Sequence, residues 1–309
     1  MKIGEFNFSN SIFLSPMAGV GDFAFRALCR ECGADLSYTE MISAKGLLHG
    51  SEKTIKMLYT LNEESPCAVQ LFGKKPQVFY EAIRKHELKK FNIIDLNFGC
   101  PAPKIVKNGE GSALLGNIKL MQEIVQTCKK ATKKPIGVKI RLGENNINYD
   151  IAKALEEAGA DYITVHGRTR LQGYSGVVDY EAISKICSLV KIPVVGNGDI
   201  ISSQTLEKMW QTGVDGVSLA RGALGKPWIF AELKKIKCNI SPFDFVCRHV
   251  FMLRQIFKDD FLCKYLRKHF LWYLKGIYAP DLKLQIANME NIDDVLRNMK
   301  KVFENKLNI

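Results

Sequence analysis

One cysteine of the nine stands apart. Cys100 lies in Asn97-Phe98-Gly99-Cys100-Pro101, after an apolar run and before a proline, so it belongs to a loop and not to a core pattern. A thiol with a reference pKa of about 8.5 is largely protonated at neutral pH and can act as a general acid. Other short apolar runs also end in polar residues: Gln70, then Lys139 and Arg141, His166 and Arg168, Asn197 and Asp199, and Arg221. Small residues crowd three of these ends, in Ser15-Pro16-Met17-Ala18-Gly19, Gly196-Asn197-Gly198-Asp199 and Ala220-Arg221-Gly222. Backbone N–H groups there can approach a ligand closely, and with Arg221 beside them they suit a phosphate.

The elements that must position these residues follow from periodicity. Eight short apolar runs read as strands: Ile12–Met17, Asp35–Met41, Cys67–Gly73, Ile93–Gly99, Ile136–Leu142, Tyr162–Gly167, Pro193–Asp199 and Gly216–Arg221. They are rich in Val, Ile, Phe and Tyr and lack polar alternation, as expected for strands buried on both faces. Helical spacing fills the intervals at Asp22–Cys32, Val78–His86, Leu120–Lys130, Ile151–Ala158 and Ser203–Gln211, with Gly33, Gly159 and Gly213 as helix stops. Eight strands alternating with helices predict a closed (β/α)8 TIM barrel over residues 1–237. An open doubly wound sheet would want a G-x-G-x-x-G turn after its first strand, and SPMAGVGD is not one. In a barrel the strand ends meet at one mouth, which brings the polar residues above together. Lys139 and His166, from adjacent strands, could converge on the electron-rich part of a cofactor. A phosphate tail and a ring that gains negative charge on reduction describe flavin mononucleotide (FMN), which this pattern permits without singling it out.

From Cys238 onward strand-like runs stop, and Phe243–Phe257 and Phe261–Leu274 read as amphipathic helices, so a small all-helical domain is expected over 238–309. The whole chain carries 44 Lys and Arg against 32 Asp and Glu, a formal charge of +12. More than half of that excess, a net +7, falls in residues 233–309, where Lys264, Arg267, Lys268 and Lys275 recur at helical spacing. Such a concentration points to a polyanionic partner. No apolar run is long enough for a membrane span, and the N-terminus reads poorly as a signal peptide. The odd cysteine count and the apolar surroundings of Cys67, Cys128, Cys187 and Cys247 fit a reducing, cytoplasmic setting. Cys29 and Cys32 have C-x-x-C spacing without a second ligand pair, so no metal is expected.

Taken together, the motifs resemble the tRNA-dihydrouridine synthases. The likeness runs in order through Ser15–Gly19, Glu40-Met41, Val69–Leu71, Asn97–Pro101, Gly111–Leu114, Val138–Arg141, His166–Arg170, Asn197–Asp199 and Gly225–Trp228, and on into Arg267-Lys268-His269 and Trp272-Tyr273. It implies an FMN-binding barrel, a helical tRNA-binding domain and NADPH as reductant. By that likeness Pro16, Met17, Ala18, Gln70, Lys139, His166, Asn197, Gly198, Asp199, Ala220 and Arg221 hold FMN. Asn97 and Arg168 contact the target nucleotide, and Cys100 is the proton donor. Lys104 in the loop after Cys100, with Arg267 and Lys268 in the tail, are the basic side chains expected at the RNA, and the protein is expected to be a monomer. Two positions depart from the family pattern: Ala220 stands where glycine is more usual, and Leu142–Asn146 lacks a tryptophan often found there. A barrel acting on a free pyrimidine, as dihydroorotate dehydrogenase does, would explain Cys100 but leave the basic tail idle. A non-catalytic RNA-binding protein would leave Cys100, Lys139 and His166 without a task.

Overall fold

The computed structural model describes residues 1–61 and 64–307. A hairpin of two short antiparallel strands, β1 (Lys2–Ile3) and β2 (Phe6–Asn7), precedes the barrel. Eight parallel strands then close on themselves: β3 (Ser11–Leu14), β4 (Ser37–Ser43), β5 (Cys67–Phe72), β6 (Ile93–Asn97), β7 (Ile136–Arg141), β8 (Tyr162–His166), β9 (Val194–Asn197) and β10 (Gly216–Leu219), with β10 pairing β3 to seal the ring. The strand order is therefore the expected one. Most strands end sooner than the apolar runs do. Ser15, Pro16 and Met17, and likewise Gly198 and Asp199, leave the ladder and line the mouth.

Helices α1 (Phe23–Glu31), α4 (Pro76–Ile83), α6 (Ile118–Ala131), α7 (Asp150–Glu157), α8 (Tyr180–Leu189) and α9 (Ser203–Trp210) lie between the strands. Asp22, Asn117, Asp179 and Ser202 cap four of them by accepting a backbone N–H. Gly33, Gly159 and Gly213 end three in a left-handed conformation, with φ of 98°, 92° and 84°. Short helices α2 (Ala44–Leu48), α3 (Glu52–Lys56) and α5 (Pro103–Lys107) were too brief to show a helical period in the sequence.

The barrel floor has its own core. Ile3, Phe8, Phe13, Leu36, Tyr38, Ala68, Ile93, Tyr162 and Val195 form a cluster separate from the larger core between strands and helices. Gly137 makes this possible, because a Cβ there would stand 2.1 Å from the Tyr162 ring. The hairpin plugs the floor, so access to the interior is from the opposite end.

After α10 (Ile229–Lys234) the chain forms four helices: α11 (Pro242–Arg254), α12 (Asp259–Tyr273), α13 (Pro280–Ala287) and α14 (Ile292–Leu307). They share the main core with the barrel helices through Phe245, Val250, Leu266 and Phe270. Asn308 and Ile309 of the expected tail lie outside the described residues. No helix among the described residues is long and apolar enough to cross a membrane.

Candidate active site

Alternation along a strand sends every second residue inward. The inward positions run Ile93, Asp95, Asn97 in β6, Gly137, Lys139, Arg141 in β7, and Tyr162, Thr164, His166 in β8. Each series is apolar or small at the floor and polar at the mouth.

One half of the mouth, over β7 to β10, is cationic. Lys139 Nζ donates to Asn197 Oδ1 at 2.9 Å, and Asn197 Nδ2 donates to the Ser218 carbonyl at 2.7 Å. Burial, and then the charge of Arg141, push the Lys139 ammonium down to about 8. Burial also dominates at His166, and with Lys139, Arg141, Arg168 and Arg221 around it the imidazole is pushed down to about 2. It is neutral at any working pH. Arg168 is only 1% exposed: it donates to the carbonyls of Ser175 (2.9 Å) and Gly176 (2.6 Å) and pairs with Asp199. Arg221 donates to the same carboxylate at 2.6 Å from an exposed position. Arg168 thus braces the loop after β8, and its guanidinium is committed to protein partners.

The other half, at the end of β6, holds Cys100. Asn97 Oδ1 accepts the backbone N–H groups of Gly99 (3.2 Å) and Cys100 (2.9 Å), which fixes the loop to its strand. Ser112 donates through N (3.0 Å) and Oγ (2.8 Å) to the Cys100 carbonyl, and Arg141 Nε donates to the Gly99 carbonyl at 2.8 Å. The thiol is half-buried. Burial raises its pKa, against the Ala102 N–H, Arg141 and Lys139, so the sulfur keeps its proton at neutral pH. Gln70 lies beneath, fully buried, with its amide between Asp95 and Asn97. Lys104 sits exposed on α5 beside this loop.

The tail reaches the mouth through α12. Lys268 lies over the Tyr265 ring at 4.1 Å, near the loop where the Gly19 N–H donates to Glu40. Its ammonium is lowered by burial, against the charges of Glu40 and Asp22. Arg267 takes another direction, donating to the Met289 carbonyl at 3.1 Å with its Nε buried, so it packs α12 onto the end of α13. Below them, Asp22 accepts Phe25 N at 2.9 Å, Tyr265 OH at 3.1 Å and His249 Nε2 at 3.2 Å. His269 Nε2 stands 3.4 Å from the same carboxylate.

Three residues that sequence reasoning passed over belong to this region. Tyr174 lies between the guanidinium groups of Arg141 (5.4 Å) and Arg221 (5.0 Å). An aromatic in a glycine-flanked loop just after a polar strand end was the available signal. Asp95 and Asp22 gave none, since a single acid within an apolar or helical pattern has no distinctive spacing.

The loops after β9 and β10 leave donors free. The N–H groups of Gly198, Asp199, Arg221 and Gly222 have no acceptor among the described residues. Gly222 brings the two loops together, because a Cβ there would stand 2.3 Å from the Ile200 carbonyl oxygen. Free N–H groups beside an exposed arginine suit a phosphate. Ala220 has φ −120°, so the position does not call for glycine's left-handed backbone.

Residues 13–307 match the family described as Dihydrouridine synthase (Dus). The chain belongs to that family. It is 36% identical over 291 residues to a probable tRNA-dihydrouridine synthase of Rickettsia conorii, covering 90% of this chain and 88% of that one. It is 34% identical to tRNA-dihydrouridine synthase B of Pseudomonas aeruginosa, over 100% of this chain and 97% of the relative. Among solved structures, a variant of NCR from Zymomonas mobilis superposes with TM-score 0.55 at 17% identity, over 77% of this chain and 91% of that one, a likeness of fold. As a member of the dihydrouridine synthases the chain is a flavin-dependent oxidoreductase.

Proposed function

We propose that this dihydrouridine synthase reduces the 5,6 double bond of uridines in tRNA, with FMN bound in the barrel mouth, NADPH as reductant and Cys100 as proton donor. The observation that carries the proposal is a half-buried thiol at the mouth, on a loop held by Asn97, Ser112 and Arg141, in a chain of this family. The free N–H groups at Gly198, Asp199, Arg221 and Gly222, with the Arg221 guanidinium, fit the FMN phosphate. The Asp199 carboxylate serves by orienting Arg221 and Arg168, so its share in phosphate binding is its backbone N–H. Pro16, Met17 and Ala18 form the adjoining wall, since they follow β3, which pairs with β10. Lys139, His166 and Asn197 face the ring, and Gln70 supports it from below. Bound FMN, once reduced by NADPH, supplies the hydride that reaches C6 of uracil.

Negative charge then develops over C5 and the O4 carbonyl of the base. Lys139, lowered to about 8 by burial, and the neutral His166 would offer donors to the flavin ring, where charge is gained on reduction. The Cys100 Sγ–H transfers its proton to C5 from the opposite face, and the raised thiol pKa keeps that proton available. Asn97 fixes the Cys100 backbone and so aims the thiol. Arg168 acts on the nucleotide through the loop it braces. The uridine must leave its stack to enter the mouth, at a cost of a few kcal/mol. Phosphate contacts from Lys104 on the rim, from Lys264 and Lys268 on α12 and from Lys275 in the turn after it offset that cost, with a steep dependence on salt.

The test is direct. Purified protein should be yellow, and with NADPH it should form dihydrouridine in unmodified tRNA while leaving free uracil unchanged. A colourless protein, or turnover of free uracil alone, overturns the proposal.

A further inference from the structure

A buried carboxylate lies two residues before Asn97. Asp95 is 0% exposed in the centre of the barrel, where an apolar side chain would pack without desolvating a charge. Its Oδ2 accepts Gln70 Nε2 at 2.6 Å, and its Oδ1 accepts Tyr162 OH at 3.2 Å. Tyr38 OH lies 3.0 Å from Tyr162 OH. On the other side, Gln70 Oε1 accepts Asn97 Nδ2 at 2.7 Å, and Asn97 Oδ1 accepts the N–H groups of Gly99 and Cys100. Along this one path each bond therefore donates towards Asp95: Cys100 N–H to Asn97, Asn97 to Gln70, Gln70 to the carboxylate.

That direction has a consequence for the two amides between. Gln and Asn can each be turned end for end at little steric cost, and only their partners decide which atom faces where. An acceptor at residue 95 requires the NH2 of Gln70 to face it, which leaves Oε1 for the NH2 of Asn97. Asn97 must then present Oδ1 to the Cys100 loop. With no acceptor at residue 95, Gln70 can reverse, Asn97 follows, and an NH2 group would face two backbone N–H groups.

We propose that Asp95 is a positioning residue, which acts through Gln70 and Asn97 to hold the Cys100 loop in register for proton delivery. Because the acceptor is the essential property, asparagine can replace it: Oδ1 faces Gln70, and Nδ2 donates to the Tyr162 hydroxyl, which can turn towards Tyr38. Burial pushes the Asp95 carboxyl up to about 6, against its bonds from Gln70 and Tyr162 and the charge on Lys139. The inference rests on the reaction proposed above, and wild-type protein in the same assays tests that reaction separately.

The experiment compares Asp95→Leu with Asp95→Asn in three assays: flavin reduction by NADPH, single-turnover reduction of tRNA uridine by the reduced enzyme, and alkylation of Cys100 by iodoacetamide in the holoenzyme, followed by peptide mass. Asp95→Leu should slow the uridine step about 100-fold, the scale of a misplaced catalytic group, with flavin reduction kept within about threefold. Its Cys100 should be alkylated severalfold faster, since the loop loses its anchor. Asp95→Asn should match wild type in all three assays. Equal loss in both variants, or loss of both redox steps together in Asp95→Leu, would overturn the inference, as would a folded leucine variant with wild-type uridine reduction. If leucine prevents folding, Asp95→Asn still decides: wild-type uridine reduction and Cys100 alkylation support the acceptor role, and a defect in either overturns it. Failure of wild-type protein to reduce tRNA uridines would sink the functional proposal instead.

Discussion

The barrel mouth and the seam between barrel and tail both bury polar groups, but they use them differently. At the seam, Asp22 collects donors from Phe25, Tyr265 and His249, with His269 close by, and the carboxyl is held well below the usual range because the two histidines outweigh its burial. Asp22 and its three donors satisfy one another, while His269 Nε2 makes no hydrogen bond among the described residues. At the mouth, Cys100 keeps a proton to give away, and four backbone N–H groups have no acceptor among the described residues. Capacity left over at the mouth is what a ligand can use, whereas capacity consumed at the seam holds two parts of the chain together. Changes at the mouth should therefore cost activity, and changes at the seam should cost stability.

The largest effect expected is at the mouth. Cys100→Ala should slow uridine reduction by about 10²- to 10⁴-fold, the range for losing a general acid. Flavin reduction by NADPH and the thermal midpoint should stay as in wild type. Rapid-mixing absorbance and a melting curve measure both, and a fall in the melting temperature of several degrees would show that the thiol also holds the fold together.

At the seam the order reverses. Asp22→Leu strands His249 and Tyr265 and removes the α1 cap, so it should cost about 3–5 kcal/mol, as for breaking a buried pair. Asp22 has a depressed folded-state pKa, so its contribution is present above about pH 4 and is lost as pH falls below that. Asp95, equally buried, differs in sign. Its folded pKa of about 6 lies above the ordinary 3.8, so the stability it contributes is full below about pH 4 and is lost as pH rises through about 6. Asp95→Asn should consequently be more stable than wild type at pH 8, by on the order of 3 kcal/mol. Urea denaturation of the two variants at pH 8 checks the pair, and like signs would refute the contrast.

How much of this was legible in the sequence follows the same division. The eight strands and their order could be read because each apolar run is short and β-rich, and because helices end at residues such as Gly33 and Gly159. Cys100, Lys139, His166 and Arg221 could be read because a polar residue at the end of an apolar run must face the mouth. What stayed hidden depends on pairing across distant segments. Asp22 meets His249 more than 200 positions away, and Arg267, grouped with Lys268 by spacing, turns to the Met289 carbonyl instead. Arg168 was expected at the nucleotide, but the carbonyls of its own following loop and Asp199 claim it, a choice that only the folded loop makes. Strand ends were overread by one to three residues wherever the chain leaves the ladder to build the mouth.

A smaller effect separates the two regions by pH. His166 at the mouth, lowered to about 2, and His269 at the seam, lowered to about 3, both stay neutral in the folded chain while the unfolded chain takes up protons below about pH 6.5. Each therefore removes stability as pH falls through 6.5, by about 1.4 kcal/mol per pH unit, and Asp95 offsets one of the two between about pH 6 and 4. His269→Gln should flatten the slope of denaturation free energy across that window by about one proton's worth. An unchanged slope would mean that His269 is charged in the folded protein.

The smallest effect concerns the one position at the mouth where the chain departs from its family's glycine. If the phosphate loop needed glycine's freedom, Ala220→Gly should tighten flavin binding. With φ at −120°, Ala220 is not in the positive-φ region that calls for glycine, and the substitution adds no contact to the folded state. It enlarges the ensemble of the unfolded chain and should lower stability by about 0.4–1 kcal/mol, leaving FMN affinity within about twofold. Fluorescence titration of flavin against apoprotein, beside a denaturation curve, reads both quantities. A marked gain in affinity would show that the methyl group obstructs the phosphate, and that this part of the mouth is shaped by sterics and not by its unpaired N–H groups.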